Sequence, residues 1–122
     1  MLLRALALLP QPLARRVTRL CADAPVRFVP AGRSTRRAVE DDSVELVLVH
    51  ADRWGAHAEA AVQRRRAAGT APDVIVFVDE ESSPVRAQLL GSGVLAVLNG
   101  TLDDALLGEA LRSVVQRARS AA

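Results

Sequence analysis

The sequence predicts an α/β domain: a (βα)5 doubly wound parallel sheet of five strands with helices on both faces. Three observations predict it. Five short apolar runs recur along the 122 residues. The segments between them are longer, and most carry helical spacing or a helix-favouring composition. The strongest apolar runs are continuous rather than alternating, as in strands covered on both sides. Strands alternating with helices imply right-handed crossovers and a parallel sheet. A chain of this length forms one domain, here residues 1–122.

The first run is Arg4–Leu9, stopped by Pro10. Leu13, Val17, Leu20 and Cys21 then recur at i, i+4, i+7 and i+8, one face of a helix whose first turn suits Pro12. The second run, Val26–Val29, is closed by Pro30-Ala31-Gly32, and the charged stretch from Ser34 to Asp42 is the poorest of the five helices. The third run is Val44–Val49, with His50 at its end. Ala56–Ala68 is alanine-rich and closes on Arg64-Arg65-Arg66 and Gly69, cations that complement a helix C-terminus. Those arginines read as a solvated helix end; a nucleic-acid footprint needs a wider basic face.

The fourth run, Val74–Val78, is the strongest strand signal. Ser83 and Pro84 read as N-cap and first residue of a helix with Val85, Leu89 and Leu90 on one face and Gly91 as its end. The fifth run is Val94–Leu98, punctuated by Asn99-Gly100. Thr101–Asp104 has the spacing of a capping box. The last helix carries Leu102, Leu106, Leu107, Ala110, Leu111, Val114 and Val115, a stripe broader than packing on a sheet requires.

Composition excludes several functions. Half the residues are apolar and a quarter charged, an ordinary globular balance. Cys21 is the single cysteine, which leaves no disulfide framework and no cysteine-based zinc site; its place in the apolar stripe makes it core. All 16 basic residues are arginine, so Schiff-base chemistry, Walker-type loops and lysine-assisted phosphoryl transfer are excluded. The net charge is only +2, and the pI near 9.9 reflects arginine's late titration rather than a nucleic-acid surface. Phe28, Trp54 and Phe77 are the only aromatics, too few for stacking on single strands. The apolar run before Pro10 is too short for a signal peptide, and no stretch approaches the roughly 18 apolar residues of a membrane span. A cytoplasmic protein without membrane contact is expected.

Parallel sheets of this kind bind ligands beyond the carboxyl ends of their strands. There the run Arg4–Leu9 followed by Pro12-Leu13-Ala14-Arg15, the segment Pro72–Val78 and the segment Gly93–Leu98 resemble the receiver domain of two-component response regulators, of the NarL/LuxR type. The resemblance covers nearly the whole chain, most clearly residues 4–18 and 44–118, and implies the flavodoxin-like receiver fold. It also implies an acidic pair for Mg²⁺ after the first strand, a phosphoryl-accepting Asp ending the third, a hydroxyl ending the fourth and a lysine after the fifth. In this chain those positions are Leu9 and Pro10, His50, Val78, and Asn99 or Gly100.

Phosphoryl transfer to a carboxylate relies on Mg²⁺ and a lysine to neutralise developing charge. A degenerate pocket of this kind implies an atypical, phosphorylation-independent module with no catalytic residue, metal or cofactor. Its work would be dimerisation or binding another regulatory protein, in the control of transcription. Leu89, Leu106, Leu107 and Leu111 are the candidate dimer face, as receivers commonly pair through their fourth helix, fifth strand and fifth helix. DNA would be reached only through a separate domain beyond residue 122, with a linker beginning at Arg119; a stand-alone adaptor is the alternative. A less charged strand-end crevice also suits a small-molecule effector. A flavodoxin-type enzyme would need a phosphate cradle where Pro10-Gln11-Pro12 offers none.

Three loop residues carry double readings. Asp52 is a turn residue or a displaced acceptor, and with His50 and Asp79 it forms a metal-binding or pH-sensing cluster in the sharper reading. Trp54 is a partner or ligand anchor, or it folds over the vacated pocket and fills it.

Overall fold

A continuous apolar strand turns alternate residues to opposite faces, so it needs a core on each side. The computed structural model, which describes residues 2–29, 35–80 and 82–121, contains both cores. Its elements are β1 (Leu3–Leu8), α1 (Gln11–Leu20), β2 (Val26–Phe28), α2 (Thr35–Glu40), β3 (Leu46–His50), a 3-10 turn (Ala51–Arg53), α3 (Ala56–Ala67), β4 (Asp73–Val78), α4 (Ser83–Gly91), β5 (Ala96–Asn99) and α5 (Asp104–Ala121). The strands form one sheet in the order β2-β1-β3-β4-β5, and every pairing is parallel. The expected (βα)5 doubly wound sheet is therefore present, and the strand order reverses beside β1.

One face of the sheet carries α1 and α5. Leu46, Leu48, Ile75 and Phe77 pack there against Val17 of α1 and Leu107, Leu111, Val114 and Val115 of α5. Cys21 lies in the same layer as expected, and burial pushes its thiol pKa up while Arg112 draws it partly back. The opposite face carries α2, α3 and, more loosely, α4. There Val47, Val49, Val74, Val76 and Val78 meet Ala38 and Val39 of α2, Ala61 and Val62 of α3, and the half-buried Leu89 of α4. No residue of α4 is fully buried.

Several local expectations shift. The β1 and β3 boundaries move by one or two residues, so that Leu9 leaves the first strand and His50 joins the third. Helix α4 starts at Ser83 with Ser82 as its N-cap, and Pro84 therefore occupies the second position rather than the first. Gly91 remains helical; the chain turns at Gly93, whose φ of 96° favours glycine. Thr101 does not cap α5. Asp103 does, its Oδ1 accepting the Leu106 N–H at 2.9 Å. Leu102 lies ahead of α5, and the helix continues to Ala121, through the stretch read as the start of a linker. The closing turn Pro30-Ala31-Gly32 and Ser34 lie outside the described residues.

Of the three consecutive arginines, Arg64 and Arg66 are exposed, as a solvated helix end requires, and Arg65 is half-buried, but all three also bridge to neighbouring segments. Arg64 pairs with Glu40, Arg65 donates to the Val39 and Thr70 carbonyls and pairs with Asp42, and Arg66 donates to the Gly93 carbonyl. They fasten the end of α3 to α2 and to the turn before β5.

Candidate functional site

Parallel register decides which residues meet at the strand ends. His50 lies opposite Phe77 across β3 and β4, and two-residue alternation brings Asp79 back to the same face. The site that results is a crevice of about 230 Å³ lined by Pro10, Pro12, Leu13, Arg16, His50, Asp79 and Gly100. Its polar centre is His50, only 6% exposed and the one buried polar side chain among the described residues. Its Nδ1 accepts the Asp52 N–H at 3.2 Å, which places the neutral ring's proton on Nε2. Nε2 then donates to Asp79 Oδ1 at 3.0 Å. Asp52 Oδ2 stands 3.4 Å from Nδ1.

The six positions of the degenerate pocket do not all meet. Pro10, His50 and Gly100 line the crevice. Leu9 turns into the core shared by α1 and α5. Val78 faces the opposite layer, so the residue that reaches His50 is Asp79, one position beyond β4. Asn99 is spent on its own turn, its Oδ1 accepting the Thr101 N–H at 2.8 Å and the Thr101 hydroxyl at 2.6 Å.

Trp54 fills space, but not over this crevice. It is half-buried against the α2/α3 layer and borders a separate groove beside α4, with its indole N–H enclosed and unpartnered. Of the four leucines proposed as a dimer face, Leu107 and Leu111 are fully buried against the sheet and are unavailable. Leu106 is 52% exposed and Leu89 is half-buried, while Val85 and Leu90 of α4 are exposed.

Arg16 is the residue that sequence reasoning missed. From α1 it spans to the loop between β5 and α5, where its guanidinium donates to the Gly100 carbonyl at 2.8 Å, the Leu102 carbonyl at 2.6 Å and Asp104 Oδ1 at 2.9 Å. Arg19 holds the other oxygen of Asp104 at 2.9 Å. The hydrogen bond from Arg16, with both guanidinium charges adding to it, keeps the Asp104 carboxyl below its ordinary pKa. No local pattern pairs Arg16 with residues more than 80 positions away; the single hint is that α1 carries Arg15, Arg16 and Arg19 and no acidic residue.

The crevice does not suit a divalent cation. Mg²⁺ takes an octahedron of oxygens. Here Asp79 is held by His50 and the Gly100 carbonyl by Arg16, while the Asp52 carboxylate stands at the other end of the imidazole. The two ring nitrogens diverge, so their carboxylate partners share no ligand point. Among the described residues no group of three or more His, Cys, Asp or Glu is placed to hold a metal, and no helix is long and apolar enough to cross a membrane.

The fold has close counterparts of known structure. The signal receiver domain of a LuxO repressor protein from Vibrio parahaemolyticus is 17% identical, with 98% of this chain and 94% of that one covered and a TM-score of 0.72. The signal receiver domain of the response regulator NarL from Mycobacterium tuberculosis is 14% identical, with coverage of 94% and 97% and a TM-score of 0.71. A CpaE pilus assembly protein from Burkholderia thailandensis is 18% identical, with coverage of 95% and 99% and a TM-score of 0.69. No protein-family model and no curated protein sequence matches the chain. At these identities the likeness establishes the receiver fold.

Proposed function

We propose that this chain, with the fold of response-regulator receivers, is a non-enzymatic regulatory module that works without being phosphorylated, in the control of transcription. The observation that carries this reading is His50. It stands at the end of β3 with both ring nitrogens engaged, among neighbours that offer neither a cation site nor a lysine. Without Mg²⁺ and an ammonium group the charge of a transferring phosphoryl group has no counterweight. Binding to another regulatory protein or to a second copy is then the means of signalling. Incubation with acetyl phosphate and Mg²⁺, followed by intact-mass measurement, is expected to leave the mass unchanged. A stoichiometric gain of about 80 Da, the mass of one phosphoryl group, overturns the reading.

A second reading, a small-molecule effector, is favoured by one feature. The crevice joins the apolar walls Pro10, Pro12 and Leu13 to a polar pair, His50 and Asp79. An effector would raise the melting temperature with ln(1 + [L]/Kd) in a metabolite screen. A set of metabolites that leaves it unmoved favours the pure interaction module.

A further inference from the structure

The 3-10 turn Ala51–Arg53 joins two places that the proposed function leaves apart. At its start is His50, whose Nδ1 accepts the Asp52 N–H. At its end is Trp54, which borders a groove of about 390 Å³ lined also by Ala51, Glu59, Val85, Gln88 and Leu89. The indole N–H is enclosed there without a partner, a cost to that seat.

The bond that starts the turn exists only while Nδ1 carries no proton. Nε2 already carries one and donates it to Asp79. A second proton goes to Nδ1, turning an acceptor into a donor set against the Asp52 N–H. It also gives Nδ1 a new partner, Asp52 Oδ2, now 3.4 Å away. Asp52 thus serves both charge states, through its backbone in one and its carboxylate in the other, and the exchange requires the turn to move. We propose that His50 and Asp52 form a proton-operated latch: neutral His50 pins the turn and seats Trp54, and protonated His50 frees the turn and shifts Trp54.

The charged groups facing His50 are Asp52 from the turn, Asp79 beyond β4, and Arg16 from α1, whose donors are engaged by Gly100, Leu102 and Asp104. The ends of β1 and β5 present Leu9, Pro10 and Gly100, none of which titrates. Histidine is the side chain that ordinarily changes charge between about pH 5 and 8. The latch stands on this geometry alone and does not depend on the regulatory reading; its test involves no phosphoryl donor.

Trp54 is the only tryptophan, there is no tyrosine, and His57 is the only other histidine, so emission reports on this turn once His57 is replaced. In the full chain carrying His57→Gln, Trp54 emission is expected to show one reversible, single-proton transition as the pH is lowered, with unchanged far-ultraviolet circular dichroism. Adding His50→Asn keeps an acceptor for the Asp52 N–H but no proton site, and the transition is lost. Adding Asp52→Asn instead keeps the backbone N–H and removes the carboxylate, and the transition moves to lower pH. The Asp52 side chain is 89% exposed, so this variant folds even if the His50 variant does not. A flat profile in the parent, a transition that survives His50→Asn, or a midpoint unmoved by Asp52→Asn overturns the proposal.

Discussion

His50 is buried because β3 ends under the first turn of α1, where Pro12 and Leu13 close over the strand. A buried polar ring must be hydrogen-bonded, and Asp79 and the Asp52 N–H meet that demand. The same economy governs Arg16, whose bonds replace solvent on two loop carbonyls. Arg16→Ala is expected to lower stability by about 1–2 kcal/mol in denaturant unfolding and to speed amide exchange in residues 100–104. Asp104 adds a pH dependence whose sign is fixed. Its folded pKa is depressed, so its contribution is complete above the unfolded value near 4 and is lost as pH falls through the lower folded value. Asp104→Asn should flatten the acid limb of the stability profile, and an unaltered limb contradicts the assignment. The grouping of Asp52 and Asp79 around His50 was legible in the sequence, but their bonds depend on sheet register, and the span of Arg16, which was not legible, depends on tertiary folding.

Helices divide into those the sheet holds and those it does not. Helix α5 turns Leu107, Leu111, Val114 and Val115 inward and leaves Leu106 in solvent. Leu107→Ala is therefore expected to cost about 2–5 kcal/mol, and Leu106→Glu within about 0.5 kcal/mol, in the same unfolding assay. If the chain pairs through α4, β5 and α5, Leu106→Glu also shifts its sedimentation toward monomer, while a dimer insensitive to that change uses another surface. A seven-residue stripe in the sequence could not separate these leucines, because adjacent positions such as Leu106 and Leu107 differ by only 100° around a helix. Strands were easier to read. β3 and β4 announce themselves as continuous β-branched runs because they are covered on both faces; their ends shifted where the buried loop residue Val44 extended the apolar run and where the polar His50 and Asp73 join the strands.

At the scale of the whole molecule, alternating strands and helices were enough to expect a doubly wound parallel sheet, but periodicity says nothing of strand order. The likeness of Pro12–Arg15, Pro72–Val78 and Gly93–Leu98 to receiver segments implied the flavodoxin-like receiver fold, and the sheet runs β2-β1-β3-β4-β5. The arginine run at the end of α3 is solvated as its sequence suggests, but its bonds to Glu40, Val39 and Gly93 were not legible, because those partners come from segments that only the folded chain brings together. On the proposed function, this scaffold keeps the receiver's strands while its strand-end crevice does not bind a phosphoryl group with its cation. The most direct measurement is a ¹H–¹⁵N amide spectrum of the intact chain as Mg²⁺ and then beryllofluoride, a phosphoryl mimic, are added. The account predicts that the resonances of Leu9, His50, Asp79 and Gly100 stay in place; saturable shifts at those residues would contradict it.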